Sequence, residues 1–194
     1  MAIPQNTMSA QSYFENGTAA YGKEDYDKAI ADYTEAIRLD PNYTDAYTNR
    51  GNAYICKGEY DRAIADYTQV IQINPNDTTG YINRGACYNS KGDYDRGIAD
   101  VTQAIRIDPN DTTGYNNRAF AYNGKGDYDR AIADADKAIQ LDPNFANPYR
   151  QRGFAYMQKG GYTQARADVN KALQLDPNYQ EAKTLDAELK KKGY

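Results

Sequence analysis

The side chains that enzymes use most often for acid-base chemistry and metal binding are sparse in this sequence. The chain has no histidine, so it lacks the commonest general base and the commonest metal ligand. Its aspartates recur at fixed intervals, as at Asp61, Asp95 and Asp129, which is typical of solvated helix faces. No phosphate-binding glycine loop, nucleophile elbow or metal-spaced cysteine set is present. We therefore expect no enzymatic activity, no catalytic residue, no metal and no cofactor.

The two cysteines, Cys56 and Cys87, could in principle carry redox chemistry. They form no CxxC pair and have no companion histidine, so they do not resemble a metal site. We interpret them as two helix residues that happen to be cysteine. A disulfide or a thiol switch is the alternative.

Arginine and aspartate recur with a regularity that indicates pairing. The arginines are Arg50, Arg84, Arg118 and Arg152, while the first repeat has Asn16 in this place. The aspartates follow alanine in every repeat, at Asp32, Asp66, Asp100, Asp134 and Asp168. We expect each arginine to pair with the aspartate of the preceding repeat. The alternative is that the arginines line a surface that binds carboxylates or phosphates, which guanidinium groups hold in bidentate fashion.

Proline shows the period of the elements that must position these side chains. It recurs every 34 residues, at Pro41, Pro75, Pro109, Pro143 and Pro177. The first half of each repeat has its small and apolar residues on one helical face, which predicts a helix A. A glycine such as Gly58 then favours a left-handed helix end, and an acid (Glu59, Asp93 or Asp127) follows it, where it can cap or favourably charge the next helix.

The second half of each repeat predicts a helix B. Tyr60, Ala63, Ile64 and Tyr67 follow the i, i+3, i+4, i+7 spacing of a buried helix face. The proline cannot continue this helix, so a short Pro-Asn loop leads into the next helix A. The boundaries this predicts are a tail at 1–9, five hairpins at 10–43, 44–77, 78–111, 112–145 and 146–179, and a capping helix at 180–194.

The hairpins must stack, because one helix pair cannot bury both faces of its helices. The capping segment supplies Ala182, Leu185 and Leu189 on one side and lysines near its end. The chain also has 20 tyrosines but only four phenylalanines and no tryptophan. Most large buried side chains therefore carry a hydroxyl that must reach water or a partner.

These residues resemble the tetratricopeptide repeat (TPR) family, whose 34-residue pattern has aromatic, Leu-Gly, Tyr, Ala, aromatic and Pro positions. In the second repeat the pattern falls on Tyr47, Arg50-Gly51, Tyr54, Ala63, Tyr67 and Pro75. Arginine stands where the family usually has leucine. The resemblance covers nearly the whole chain and implies an all-α, right-handed superhelical solenoid of stacked antiparallel helix pairs. It also implies that the helices A line a concave groove.

The resemblance implies that this groove binds a protein or peptide, and the candidate contacts are the helix A residues that packing does not require. They are Thr48, Asn49, Asn52, Ile82, Asn83, Asn89, Asn116, Asn117, Phe120, Asn123, Arg150, Gln151, Phe154 and Met157. Amide side chains can bond to the main chain of an extended peptide. The alternative is that the asparagines recur through duplication. Phe120, Phe154 and Met157 are the stronger anchors, with a packing role as their alternative.

The family's two-carboxylate clamp for chaperone tails is not matched. Asn52 and Asn83 fill its asparagine places, but Thr48, Thr113 and Asn117 stand at its basic places. Chaperone-tail binding by that chemistry is therefore not expected.

The remaining alternatives concern partners and location. The net charge of −4 gives no broad attraction to nucleic acid or anionic lipid, so neither is an expected partner. A homo-oligomeric scaffold that assembles through the repeat ends is the alternative function, and the chain could also be one binding module of a larger scaffold. Without a recognisable secretory signal or membrane span we expect a cytoplasmic protein, and an exported mature form is the alternative.

Overall fold

A computed structural model describes residues 8–194, and this part of the chain is all-helical. The helices are α1 (Ala10–Tyr21), α2 (Tyr26–Leu39), α3 (Thr44–Cys56), α4 (Tyr60–Ile73), α5 (Thr78–Ser90), α6 (Tyr94–Ile107), α7 (Thr112–Lys125), α8 (Tyr128–Leu141), α9 (Ala146–Gln158), α10 (Tyr162–Leu175) and α11 (Gln180–Lys191). The odd-numbered helices α1 to α9 are the helices A, and the even-numbered helices are the helices B. The predicted all-α fold of successive helix pairs is confirmed.

The turn from helix A to helix B has the predicted left-handed residue in four repeats. Gly58, Gly92, Gly126 and Gly160 have φ values of 73°, 78°, 77° and 81°, which a residue without a Cβ adopts at little cost. In the first repeat Glu24 takes this conformation, with a φ of 60°. Asp93 and Asp127 then cap the next helix by accepting from the backbone N–H of Arg96 and Arg130, at 3.3 and 3.2 Å.

Glu59 departs from this capping pattern. Its side chain makes no capping hydrogen bond to α4. The carboxylate accepts from the side chain of Arg62 at 2.9 Å, as Asp93 and Asp127 accept from those of Arg96 and Arg130, and it pairs with Lys57 at 3.3 Å.

Each helix B ends two residues before its proline. The intervening residue is extended, as at Asp40 with φ −132° and ψ 94°, because the residue before a proline is pushed out of the helical region. The next helix A then begins within a few residues. Each hairpin thus follows the previous one after a short loop.

The chain divides into two compact units, the first ending at Cys87 and the second beginning at Tyr88, inside α5. In the first unit α3 packs against both helices of the preceding hairpin, α1 and α2. In the second unit α9 packs in the same way against α7 and α8. Stability within each unit therefore rests on neighbouring hairpins.

The cores of the two units use different side chains at one position of helix B. In the first unit Tyr33 and Tyr67 are buried there, and their hydroxyls donate to Thr18 at 3.3 Å and to Asn52 at 2.7 Å. These bonds agree with the expectation that buried tyrosines find a partner. In the second unit the same position holds the smaller Val101, Ala135 and Val169, which have no polar atom to satisfy.

Candidate functional site

The second unit has a cleft between its helices A that brings together several of the predicted groove residues. We call it the α7–α9 cleft. Its volume is about 150 Å³, and its lining residues are Tyr94, Phe120, Asn123, Gly124, Arg150, Gln151 and Phe154. It thus combines three aromatic rings, two amides and one cation. Five of the predicted groove residues lie here: Phe120, Asn123, Arg150, Gln151 and Phe154.

Aromatic rings form the apolar part of the cleft. Phe120 is 39% exposed and meets the ring of Tyr94 edge to face, with 6.5 Å between the ring centroids. Phe154 meets Tyr128 in the same way at 6.4 Å. An exposed phenylalanine that is held by a second ring offers apolar surface in a fixed place.

Gly124 allows Tyr94 to reach the cleft. A Cβ at Gly124 would lie 2.3 Å from the Tyr94 ring, which is far inside contact distance. The neighbouring repeats carry Ser90 and Gln158 at this position. Neither Tyr94 nor Gly124 was among the predicted site residues, and this change from larger side chains to glycine is the sequence signal that could have found them.

Asn123, which lines the cleft, has an unpaired acceptor. Its Nδ2 donates to the backbone carbonyl of Gln151 at 2.9 Å and to the Oε1 of the same residue at 3.2 Å. Because a carbonyl can only accept, these bonds fix which end of the amide is the nitrogen. Asn123 is only 7% exposed, and its Oδ1 is buried without a hydrogen-bond partner.

Asn89, one repeat earlier, has the same arrangement. Its Nδ2 donates to the backbone carbonyl of Asn117 at 3.2 Å, and its Oδ1 is buried and unpaired. Buried polar atoms without a partner are uncommon and costly, so each one requires an explanation. Of these two residues, Asn123 lines the α7–α9 cleft.

Arg150 is the cation of the cleft. Its Nη1 donates to the Oε1 of Gln151 at 3.0 Å, and its guanidinium lies 5.5 Å from the centre of the Phe154 ring. Its Nε is buried and has no partner. Among the described residues, no carboxylate forms an ion pair with Arg150.

The other arginines of the helices A are paired, but not as the sequence predicted. Arg50, Arg118 and Arg152 each make two bonds to the aspartate of their own repeat, 16 residues later. The distances are 2.9 and 2.7 Å to Asp66, 2.7 and 2.8 Å to Asp134, and 2.9 and 2.6 Å to Asp168. The predicted pairing of these three with the aspartate of the preceding repeat is wrong.

The remaining guanidinium nitrogen of these arginines does reach the preceding hairpin. Arg50 donates to Thr34 at 2.9 Å, Arg118 to Thr102 at 3.2 Å and Arg152 to Asp136 at 2.5 Å. Arg84 donates to Thr68 at 3.0 Å in the same way. These four arginines therefore join successive hairpins. They bond within the protein and do not line a ligand surface, which was the alternative.

Some predicted groove residues lie elsewhere or are buried. Met157 is only 5% exposed and packs in a core cluster with Leu185 and Leu189. It therefore has the packing role that was the alternative for it, and it is not available as a ligand anchor. Asn116 is buried, and its Nδ2 lies 3.4 Å from the Oδ1 of Asn117. Gln151 is buried too and acts by holding Asn123 and Arg150.

The first unit contains the other predicted residues. Asn49 and Asn52 line a cleft of about 140 Å³ with Thr18, Tyr21 and Tyr33. The Oδ1 of Asn52 is already occupied by the Tyr67 hydroxyl. Ile82 and Asn83 are half-buried on α5. The predicted residues thus belong to both units, and within the second unit the α7–α9 cleft combines exposed aromatic surface with unpaired polar atoms.

Residues 8–194 offer no candidate for two other kinds of site. This part of the chain contains no group of three or more Cys, Asp and Glu side chains that could hold a metal ion. None of its helices is both long enough and apolar enough to cross a membrane.

Solved structures with the same fold share little sequence with this chain. A tetratricopeptide repeat protein from Parabacteroides merdae has a TM-score of 0.86 at 21% identity, over 98% of this chain and 75% of that one. A MamA fragment from Desulfovibrio magneticus has a TM-score of 0.77 at 21% identity, over 88% and 96%. YrrB, described as a TPR protein with an unusual peptide-binding site, has a TM-score of 0.70 at 20% identity, over 94% of both chains.

Sequence comparison supports the same assignment. No curated protein matches the chain. Family models of the tetratricopeptide repeat match residues 44–77, 79–111, 101–133 and 119–190, and a TPR repeat model matches residues 17–55. Since these matches together extend from residue 17 to residue 190, the chain belongs to the tetratricopeptide repeat family.

Proposed function

We propose that this protein binds an extended peptide segment of a partner protein in the α7–α9 cleft. The observation that carries the proposal is the buried, unpaired Oδ1 of Asn123 beside the exposed ring of Phe120. A peptide can satisfy both at once, because its main-chain N–H donates to the amide oxygen while an apolar side chain covers the ring. The peptide-binding site named for YrrB supports the proposal at the level of the fold alone.

The proposal is tested by selecting peptides from a random display library with the wild-type chain. The affinity of each enriched peptide is then measured for the wild type and for two variants, Phe120→Ala and Phe120→Ala/Phe154→Ala. Urea unfolding of each variant shows that it remains folded at the assay temperature. Because truncating a central aromatic anchor often costs more than 2 kcal/mol of binding free energy, we expect the double variant to bind more than about tenfold more weakly.

Leu39→Ala is the matched control. Leu39 is a similarly exposed apolar residue, at 43%, and it lies on α2, outside the cleft. Its truncation should leave the affinity unchanged. The proposal fails if no peptide is enriched, or if the double variant binds the enriched peptides as well as the Leu39→Ala chain does.

A homo-oligomeric scaffold is the alternative function, and the structure gives it less support. Leu185 and Leu189 of α11 cover the last core cluster, while Lys183, Glu188 and Lys190 are exposed on the same helix. The outward-facing part of α11 is therefore charged rather than apolar, which does not favour stacking of one chain on another.

A further inference from the structure

We infer that the peptide bound in the α7–α9 cleft carries an aspartate or glutamate side chain on the same face of the extended chain as an apolar side chain, and that Arg150 receives the carboxylate. This inference rests on the proposed function and names the chemistry of the ligand. It comes from three features of the cleft: an arginine without an anion, a ring-lined space of limited size, and the unpaired acceptor of Asn123.

Arg150 is the arginine of α7 and α9 that lacks a carboxylate. Arg118 and Arg152, on the same two helices, each hold an aspartate with two hydrogen bonds. Arg150 donates only to a neutral amide, and its Nε has no partner. A guanidinium has five N–H donors and binds a carboxylate with two of them in parallel. Because the Nε of Arg150 is buried and its Nη1 gives one N–H to Gln151, the remaining N–H groups of Nη1 and Nη2 are the donors for such a pair.

The position of Arg150 is set before any ligand binds. The Oε1 of Gln151 accepts from its Nη1, and the ring of Phe154 lies beside its guanidinium at 5.5 Å. Gln151 is itself held by Asn123 at 3.2 Å. A planar cation that is held in this way loses little side-chain entropy when it pairs with a carboxylate.

The apolar part of the cleft lies next to this cation. Phe120, Phe154 and Tyr94 line it together with Arg150, and its volume is about 150 Å³. An apolar cavity of about this size can hold one benzene ring. The space therefore suits a single aromatic or large aliphatic side chain, on the same face of the extended peptide as the acid.

The unpaired amide oxygen of Asn123 requires an N–H donor. The main chain of an extended segment supplies such donors along its length. A C-terminal segment supplies them too, so peptides with an amidated C-terminus separate a side-chain carboxylate from a terminal one.

The net charge of the chain does not account for a preference for acidic peptides. The net charge is −4, so the protein as a whole does not attract acidic peptides. A preference for peptides with an acidic side chain therefore requires a local cation, and substitution of Arg150 shows whether that cation is Arg150.

The experiment uses the display-enriched peptides, synthesised with an acetylated N-terminus and an amidated C-terminus. Each peptide is paired with a version in which Glu becomes Gln or Asp becomes Asn. Binding is measured by calorimetry for the wild type, Arg150→Gln, Arg150→Lys and the control Arg106→Gln. Arg106 is an exposed arginine at the end of α6, on the same unit.

We expect the amide version of the peptide to bind the wild type about tenfold or more weakly, because hydrogen bonds to charged groups contribute about 1.5–3 kcal/mol. Arg150→Gln should lose a similar factor and should no longer distinguish the two peptides. Arg150→Lys should retain part of the preference, since it keeps the charge but not the planar fork. Arg106→Gln should behave as the wild type does.

Other results overturn the inference in distinguishable ways. If the peptides need Phe120 but tolerate the loss of their acid, the proposed function stands and the acidic preference is wrong. If amidation of the C-terminus abolishes binding, the carboxylate is terminal and the assignment to a side chain is wrong. If the peptides bind without Phe120 and Phe154, the proposed function fails and this inference fails with it.

Discussion

At the scale of single residues, one pair of positions faces each other in each hairpin. The helix B residue of this pair determines whether the helix A residue can carry a Cβ. Gly17 faces Tyr33 and Gly51 faces Tyr67, and in both cases a Cβ would lie 2.8 Å from the tyrosine ring. In the fourth repeat these positions hold Ala119 and Ala135, both fully buried. A large ring on helix B thus requires a glycine on helix A, whereas a small helix B residue permits a Cβ there.

The first prediction tests this steric relation with Gly51→Ala. The added Cβ would meet the Tyr67 ring, which is fully buried and cannot move away freely. We expect the free energy of unfolding in urea to fall by about 1–3 kcal/mol, the usual cost of overpacking a core. In a Tyr67→Val background the same substitution should cost much less. Equal costs in the two backgrounds would show that the ring is not the obstacle.

The second prediction concerns the two thiols. Cys56 is exposed, whereas Cys87 is 1% exposed and burial raises its pKa to about 12. A thiol reagent at pH 8 should therefore label one cysteine rapidly in the folded chain and both cysteines in urea. Cys56→Ser should remove the fast phase. Rapid labelling of the folded Cys56→Ser chain would contradict the buried position of Cys87.

The same pKa shift has a consequence for stability. In the unfolded chain Cys87 titrates near its ordinary pKa of 9.0, while in the folded chain it stays protonated to higher pH. Its contribution to stability is therefore complete below pH 9 and is lost as the pH rises towards 12.

At the scale of elements, α11 takes the place of a further hairpin for the last core cluster. Leu185 and Leu189 are buried against Met157, Ala165 and Val169. The side chains of Arg166 on α10 and Asp186 on α11 form an ion pair that joins the same two helices. An isolated helix of this length is marginal in water, so its stability must come from this packing.

The third prediction is that Leu189→Ala destabilises the chain by about 2–5 kcal/mol, the usual range for a fully buried leucine. Glu188→Ala is the control, because Glu188 is the adjacent and exposed residue of the same helix. Its effect should stay within about 0.5 kcal/mol. Urea unfolding measures both variants. Similar values for the two would mean that α11 does not complete the core.

The helices were predictable from the sequence because local physical rules define their ends. The left-handed glycines, the acids after them and the prolines each act within one turn of the chain. The partners of the arginines were not predictable to the same extent. Asp32 and Asp66 stand at equivalent positions 34 residues apart, so the period alone cannot tell which one faces Arg50.

The candidate site was predictable only in part for a related reason. Phe120, Phe154 and Arg150 stand out because the other repeats carry different residues there. The contact between Tyr94 and Gly124 depends on how closely two helices approach, which no single-repeat pattern records. The burial of Met157 likewise depends on α11, an element outside the repeat.

At the scale of the whole molecule, the fourth prediction separates the two functions. The exposed residues of α11 are mainly charged, so the 194-residue chain should sediment with the mass of one chain at all concentrations tested. A mass that rises with concentration would favour the homo-oligomeric scaffold. In that case Lys190→Leu, which adds apolar surface on α11, should strengthen the association if this helix forms the contact.

The central claim is that a partner peptide lies in the α7–α9 cleft, and chemical-shift mapping tests it most directly. The ¹⁵N-labelled chain is titrated with a display-enriched peptide, and the shifts of backbone and side-chain amides are recorded. We predict that the largest changes fall on α7 and α9 and include the side-chain amides of Asn123 and Gln151. If the largest changes fall instead on the exposed faces of the helices B or on α11, while Asn123 and Gln151 stay unchanged, the peptide binds elsewhere and the account is wrong.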